Sequence, residues 1–212
     1  PNDTTWLECT STTLPFAQLG PFTENRKAMM ITDDGGVLVN TPVSNFKNNT
    51  MGVKTIIDVD ESGGAKVKAD YTLYGDDRDE LLMRYHDLND DEKRKFFISN
   101  LQWKQPGAFE ITNSKDKANP YLVSAKLDYE KIYSFNAGNK FFFETRLYPI
   151  FDEEIVDQDK RQRDYYFTNP YQVMDTTVYK FPVGFSLENL PKNKSAKFAF
   201  AQYNSVYNWD TA

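Results

Sequence analysis

Few residues of this sequence have the side chains that covalent chemistry needs. It contains one cysteine, Cys9, and one histidine, His86. A cysteine nucleophile needs a thiolate, a base in contact with it and an acid that orients the base. Glu8 adjoins Cys9, whereas His86 lies far along the chain, beside Asp87 in a polar segment that fits a solvated helix face. We expect Cys9 to be a small buried hydrophobic residue, so these residues alone predict no catalytic site.

Two acidic stretches have the composition of a metal site. The first, from Asp58, begins like a calcium-binding EF-hand loop, but Ala69 occupies the twelfth position, where that loop needs a bidentate acid. Its flanks alternate with period two instead of forming helices, so we expect a plain turn. The second stretch, Asp152 to Asp159, is typical of a solvated loop. The sequence therefore predicts no metal and no cofactor.

The composition restricts the classes of partner. The 212 residues carry a formal net charge of −6 and the sequence pI is about 4.9. An acidic chain without a basic stripe is a poor match for nucleic acid or for an anionic membrane surface. No apolar run reaches the ~18–20 residues of a membrane span. The 16 Phe, 13 Tyr and 3 Trp residues are expected to supply much of the core and to favour strands.

The sequence predicts that strands position the candidate residues described above. Residues 53–74 give the clearest prediction of a pair of strands. Apolar and polar side chains alternate over 53–60 and again over 65–74, on either side of a loop containing Gly63 and Gly64. This pattern predicts a β-hairpin lying over a core. Residues 26–42 predict a second hairpin, with the Asp34-Gly35 pair in its turn.

Residues 76–101 interrupt the alternation. Asp77 followed by Glu80, and Asn89 followed by Glu92, resemble the capping boxes at which helices begin. The segment therefore predicts two short helices, joined near residues 88–89, that cover an edge or an end of the sheet.

The remaining chain predicts further strands. Residues 140–148 include Phe141-Phe142-Phe143, which places apolar side chains on both faces, as expected of a central strand. The other segments are short or alternating: 6–7, 109–112, 121–133, 165–167, 175–178 and 196–203. About nine strands separated by frequent turns favour an antiparallel β-sandwich with a short two-helix insertion at residues 76–101.

The N-terminal segment resembles a known catalytic core. It reads Trp6-Leu7-Glu8-Cys9-Thr10, followed by a Pro-Phe-x-x-Leu-Gly turn at 15–20. This is similar to the end of the transglutaminase-like core of exported bacterial proteins, which join an N-terminal domain of unknown function, that core and a C-terminal β domain. The last core motif of the family is Trp-x-x-Asp-x-Thr-like, and its acid completes a Cys-His-Asp triad. We match Glu8 to this acid as the acidic residue of the segment, although it lies two positions after Trp6 instead of three. The family order is Cys, His, acid, so Cys9 and His86 are in the wrong order.

The C-terminal region resembles the β domain of the same family. The family pattern there is a basic residue, a strand, an Asp-Thr strand start, a Leu-Pro-x-Gly-Tyr segment and a Leu-Pro pair. The matching segments of this chain are residues 161–163, 165–167, 175–178, 181–185 and 190–191. These motifs specify turns and strand ends, so they bear on the fold more than on an activity.

The resemblance implies a setting for the chain. Residues 1–20 would be the tail of an upstream transglutaminase-like core and a linker, and residues 21–212 a β-sandwich domain, with residues 21–50 open to either assignment. The sequence shows no signal peptide and its first methionine is Met29, so we expect a piece of a longer protein. The resemblance implies that this longer protein is exported and is periplasmic or associated with the cell surface.

The expected function is that of a non-catalytic accessory domain. It would support the upstream core of the same polypeptide or contact a protein, peptide or glycan substrate. The alternative is a stand-alone carbohydrate- or peptide-binding module, in which aromatic side chains stack on sugars. A hydrolase with paired carboxylates is a third class, but no local signature selects a pair of acids.

Overall fold

The structure is a computed structural model that describes residues 4–85, 87–100, 104–115, 117–148, 162–164, 166–167 and 169–210. The chain divides into two compact units, Pro1–Lys180 and Phe181–Ala212. The elements are β1 (Lys27–Thr32), β2 (Gly35–Asn40), a short 3-10 helix (Phe46–Asn48), β3 (Thr50–Val59), β4 (Ala65–Leu73), α1 (Asp76–Tyr85), α2 (Asp90–Asn100), β5 (Ala108–Asn113), β6 (Tyr121–Tyr129), β7 (Phe135–Ala137), β8 (Lys140–Phe142), β9 (Gln172–Lys180), β10 (Lys194–Lys197) and β11 (Gln202–Ser205). The mainly β class and the two-helix insertion are confirmed.

The described strands form one five-stranded sheet and three two-stranded hairpins. The order in the large sheet is β5-β6-β4-β3-β9. Its pairs are antiparallel except β3 with β9, which is parallel. The predicted antiparallel arrangement holds for three of the four pairs of this sheet. It fails for β3 with β9, because β9 returns to the sheet after a long connection that lets it enter in either direction. The described sheets do not confirm a sandwich of nine strands.

The core lies on one face of the five-stranded sheet. The register places Ile57 beside Val67 and Val67 beside Leu127, and each is at most 3% exposed. The alternate residues of the same strands carry lysines, aspartates and hydroxyls on the opposite face, which is the open face. Burying such an aliphatic side chain stabilises the fold by about 1.5–3 kcal/mol. The β3–β4 hairpin thus forms as the period-two pattern of its sequence predicts.

The turn between β3 and β4 shows why a glycine is needed there. Gly63 has φ of +83°, and a Cβ added to it would approach the Tyr133 ring to 2.5 Å. The Gly63 carbonyl accepts a hydrogen bond from Ile132 N at 2.9 Å. Asp60 Oδ1 accepts hydrogen bonds from Ser62 N, Ser62 Oγ and Gly64 N. The EF-hand-like segment is therefore a plain turn, as predicted.

The two helices pack through aromatic side chains. The Tyr85 and Phe97 rings lie edge to face with centroids 5.2 Å apart, and both residues are buried. Asn89 and Glu92 form the predicted capping box: Glu92 N donates to Asn89 Oδ1, and Asn89 N donates to Glu92 Oε2. The other predicted cap is wrong, because α1 begins at Asp76 and so includes Asp77 in its first turn.

Asp77 gives the stability of the fold a pH dependence. Burial, together with the charges of Asp76 and Glu80, raises the pKa of Asp77 to about 6, whereas an aspartate in an unfolded chain titrates near 4. The folded state therefore holds this proton more tightly, so stability is gained as the pH falls from about 7 toward 4 and is lost as it rises again.

Replacing Asp77 by asparagine is expected to raise the free energy of unfolding at pH 7 by about 1–2 kcal/mol, less than the full shift because an anion near a helix N-terminus is favourable. Urea unfolding at pH 5 and pH 7 measures the effect. The variant should gain less stability than the wild type on acidification. An equal gain in both proteins would contradict the assignment.

The aromatic run at 140–148 does not form a central strand. β8 ends at Phe142 and, among the described strands, pairs with β7 in a short hairpin. The following residues run across the buried face of the sheet instead, because Phe143 packs on Tyr179 with centroids 5.6 Å apart and Tyr148 packs on Tyr71 at 6.0 Å. The aromatic side chains on one face of this run contact the sheet, and those on its other face are exposed to solvent.

Several other predicted strands differ from the described structure. The segment 196–203 is two strands, β10 and β11, joined by a turn in which Phe198 N donates to Ala201 O at 2.7 Å. No strand forms at residues 6–7 or at the described part of 165–167. The predicted strand at 175–178 lies within β9 and is confirmed. The acidic run 152–159 and His86 lie outside the described residues. Among the described residues, no helix combines the length and apolar character that a membrane span requires.

Candidate functional site: a polar groove on the open face of the sheet

Glu8, the candidate triad acid of the sequence resemblance, serves as a local hydrogen-bond acceptor. Glu8 Oε1 accepts from Thr10 N at 2.9 Å and from Thr10 Oγ1, and Glu8 Oε2 accepts from Thr23 Oγ1. These hydrogen bonds, those from Thr10 first, hold the pKa of Glu8 below its ordinary value. The carboxylate is thus an anion that joins the N-terminal segment to the turn near Thr23.

Cys9 is exposed, so the prediction of a buried cysteine is wrong. Its Sγ lies 4.0 Å from Leu7 O. The short apolar strand that would have buried it does not form, because residues 4–8 have no strand partner in the described structure. Within the described residues, Glu8 and Cys9 are neighbours in sequence that do not share a hydrogen bond.

The open face of the sheet carries charges of both signs. The residues that face outward from β3, β4, β5 and β6 include Lys54, Asp58, Lys66, Lys68, Asp70, Glu110, Lys126 and Asp128. Three ion pairs occur among these described residues and Lys180 of β9: Lys68 Nζ with Asp70 Oδ2 at 2.9 Å, Lys126 Nζ with Glu110 Oε2 at 3.1 Å, and Lys180 Nζ with Asp58 Oδ1 at 3.3 Å. Exposed ion pairs of this kind contribute only about 0–1 kcal/mol each to the stability of the fold. The open face is therefore solvated, and the stability comes mainly from the core.

A groove of about 460 Å³ lies at one end of this face, over β4, β6 and β5. The register aligns Asp70, Ser124 and Thr112 in one row across the three strands. A second row holds Thr72 and Leu122, followed by Ser114, whose Oγ accepts from Leu122 N at 2.9 Å. The lining residues are Asp70, Tyr71, Thr72, Thr112, Asn113, Ser114, Leu122, Val123 and Ser124. The side chains on the open face are therefore hydroxyls, one carboxylate and one aliphatic group.

Asp70 is the charged group of the groove. Partial burial raises its pKa, but hydrogen bonds from Ser124 and Lys68 and the lysine charges outweigh that effect, so its pKa lies below the ordinary value. The Ser124 Oγ to Asp70 Oδ1 distance is 2.6 Å. A carboxylate held in this way is ionised at neutral pH and offers its remaining lone pairs to N–H or O–H donors of a ligand.

The rim of the groove is fixed by helix α1. Tyr85 Oη donates to Asn113 Oδ1 at 3.1 Å, and Asn113 Nδ2 donates to Tyr121 Oη at 2.8 Å. Burial raises the pKa of Tyr85 to about 12, so its phenol remains protonated as the donor. The end of β5 is thereby attached to helix α1.

An exposed aromatic pair lies on the β7–β8 hairpin. Phe135 and Phe142 oppose each other across the strands, and their rings stack with centroids 4.0 Å apart and an interplanar angle of 11°. The two side chains are 56% and 42% exposed. The expectation that aromatic residues fill the core is thus only partly correct: where the structure describes the chain, tyrosines supply most of the buried rings, and several phenylalanines face solvent.

Asp175, which the sequence pattern predicts as a strand start, lies inside β9, which begins at Gln172, and is part of the core. Asp175 faces the buried side of the sheet, where Arg146 Nε lies 3.7 Å from its Oδ1, and Thr177 Oγ1 lies 3.3 Å away. Burial raises the pKa of Asp175 in spite of the opposing charge of Arg146. These contacts attach β9 to the chain segment that crosses the sheet, so the motif is structural. No group of three His, Cys, Asp or Glu side chains suited to a metal ion occurs among the described residues.

Comparison with protein-family models, with curated proteins and with solved structures finds no match to this chain. These comparisons therefore supply no ligand for the groove. The sequence indicates part of the groove, because hydroxyl and carboxylate residues occupy outward positions of three strands. Their alignment depends on the β4–β6–β5 register, which the residues of any one strand do not specify.

Proposed function

We propose that this chain is a non-catalytic accessory domain that binds an extended polymer segment in the groove over β4, β6 and β5. The groove geometry is the observation that carries the proposal, since its rows of hydroxyls lie beside one ionised carboxylate. A volume of about 460 Å³ falls within the range of small-ligand sites and accommodates a short segment of a longer chain.

The proposal includes the setting suggested by the family resemblance. The domain would belong to an exported bacterial protein and work beside an upstream transglutaminase-like core, whose substrate it would contact. The β-sandwich architecture belongs to the same proposal, with the β7–β8 hairpin and residues 143–148 as the layer over the buried face. Acyl-transfer or amide-hydrolysing turnover by this chain that survived replacement of both Cys9 and His86 would contradict a non-catalytic role.

A peptide segment bearing a lysine suits the groove best. Asp70 supplies the negative charge, the hydroxyls accept from and donate to main-chain amides, and Leu122 contacts the aliphatic part of the side chain. Lys68 neutralises part of the Asp70 charge, so the affinity should be modest.

Binding of a fluorescently labelled heptapeptide with one central lysine tests this function. Replacing Asp70 by asparagine is expected to weaken binding about tenfold, as is acetylation of the peptide lysine, because each removes one member of a charge-assisted contact. The matched control is Asp128→Asn, which removes an exposed carboxylate from the same face outside the groove. Fluorescence anisotropy measures the affinities. Equal loss in the two variants, or no binding by the wild type, would refute the assignment.

A glycan-binding role is the second candidate, and the exposed Phe135–Phe142 stack favours it. Aromatic faces stack on the apolar faces of sugar rings. On a glycan array, Phe142→Ala should reduce binding of any retained glycan about tenfold. Tyr166→Ala, which removes another exposed ring, should leave it unchanged. A glycan that binds both variants equally would exclude this surface as its site.

A further inference from the structure

The β1–β2 hairpin exposes apolar side chains on both of its faces. Met29, Ile31 and Leu38 share one face, and Met30 and Val37 the other. All five side chains are exposed, and the exposed fraction ranges from 41% for Met30 to 78% for Ile31. In the described structure the hairpin is a two-stranded sheet, and such a sheet is only marginally stable by itself in water. Addition of further strands would stabilise it.

The outer edge of β1 has the backbone groups for such an addition. Thr32 and Gly35 flank a two-residue loop and form a hydrogen-bonded pair, and the direction of the backbone groups alternates from there along the strand. Met30 therefore points its N–H and C=O toward β2, while Lys27, Met29 and Ile31 direct theirs outward. An antiparallel partner strand must pair with these outward residues.

The charges beside β1 select the partner. Arg26 and Lys27 precede the apolar residues, Asp33 and Asp34 follow them, and all four are exposed. When β1 lies antiparallel to a second β1 with Met30 opposite its own copy, Lys27 lies opposite Asp33, the first loop residue, and Arg26 lies just beyond it, beside the loop residue Asp34, on both sides of the two-fold axis. In the same register Met29 lies opposite Ile31, both of which direct their backbone groups outward. Hydrogen bonding and charge thus agree on one register.

We propose that the outer edge of β1 pairs with β1 of a second copy of this chain, giving a two-fold symmetric dimer with a continuous four-stranded sheet. A two-fold interface requires a self-complementary surface, and the Arg-Lys to Asp-Asp arrangement supplies one. β2 lacks this property, because its flanks are Asp34 at one end and Asn40 and Thr41 at the other. An edge contact with roughly four main-chain hydrogen bonds is small, so its dissociation constant is on the order of 10 µM.

Sedimentation equilibrium with two charge variants tests the register. Arg26→Glu with Lys27→Glu makes both ends of β1 acidic, and Asp33→Lys with Asp34→Lys makes both ends basic. Each variant alone should self-associate at least about tenfold more weakly than the wild type, because like charges then face each other. Mixed in equal amounts, the two variants should form a 1:1 heterodimer about twice the 24.6 kDa chain mass.

Two further proteins control for net charge and folding. Lys192→Glu with Lys194→Glu gives the same change of charge in the unit Phe181–Ala212 and should dimerise like the wild type. Met29→Pro removes an outward N–H, which an edge strand tolerates, and should abolish dimerisation with an unchanged circular-dichroism spectrum. A wild type that stays monomeric at about 0.5 mM, or variants that fail to associate when mixed, would overturn the proposal.

Discussion

Replacing Arg78 by alanine is expected to destabilise the unit Pro1–Lys180 by about 3–5 kcal/mol. The side chain is 1% exposed. Its Nε donates to Ala118 O at 2.8 Å, its Nη1 to Thr13 O at 3.0 Å and to Asp79, and its Nη2 to Lys117 O at 2.5 Å. Truncation would leave these acceptors without their donor and Asp79 without its counter-charge, and unsatisfied buried groups are costly.

The measurement is urea unfolding, with Arg84→Ala as the matched control. Arg84 lies on the same helix and pairs with Glu80 at 2.9 Å, but both side chains are more than half exposed. Its removal should change the free energy of unfolding by no more than about 0.5 kcal/mol. Limited proteolysis should cleave the Arg78 variant faster near residue 13, which this arginine holds in place. Equal effects of the two substitutions would show that Arg78 does not connect these segments.

Replacing Leu127 by alanine is expected to destabilise the same unit by about 2–5 kcal/mol. Leu127 lies in the second half of β6 and is 1% exposed. It lies beside Val67 on one strand and Phe109 on the other. Removing it would leave a cavity at the centre of the buried face, which the fixed register of three strands prevents from closing.

Leu122 is the matched control, because it lies on the same strand with its side chain on the open face and is 49% exposed. Leu122→Ala should alter the free energy of unfolding by about 0.5 kcal/mol or less. The midpoint of thermal unfolding, followed by circular dichroism, separates the two outcomes. A larger loss for Leu122 than for Leu127 would mean that the buried and open faces have been assigned the wrong way round.

The elements formed by neighbouring residues were predictable from sequence. The β3–β4 hairpin follows from the alternation around Val53 and Tyr71, and the start of α2 follows from the Asn89–Glu92 box. In each case the residues that specify the element also make its hydrogen bonds. Local pattern and final structure therefore agree.

Elements that depend on distant partners were predicted less well. Nothing within β9 indicates that it pairs in parallel with β3, because that choice is made by the path of the intervening chain. Phe141, Phe142 and Phe143 predict a central strand, yet Phe143 is accommodated by Tyr179 of β9 and Phe142 stacks on Phe135. An apolar run in a sequence predicts that its side chains are covered, but it does not identify the element that covers them.

In the candidate site, too, the residue types were predictable from sequence, whereas the contacts between distant residues were not. Glu8 could be selected from the sequence as a candidate acid, but its hydrogen bond from Thr23 depends on a turn many residues later. Asp70, Ser124 and Thr112 form one row only after β4, β6 and β5 have paired. The exposure of Cys9 likewise follows from the absence of a strand partner for residues 4–8 in the described structure.

Nuclear magnetic resonance titration of the isotope-labelled chain with the lysine heptapeptide tests the central claim of groove binding most directly. The account predicts that the largest amide shift changes fall on Asp70, Thr72, Thr112 and Ser124, and that they become weaker in Asp70→Asn but not in Asp128→Asn. Shift changes concentrated on residues outside the groove, or none at saturating peptide, would contradict it.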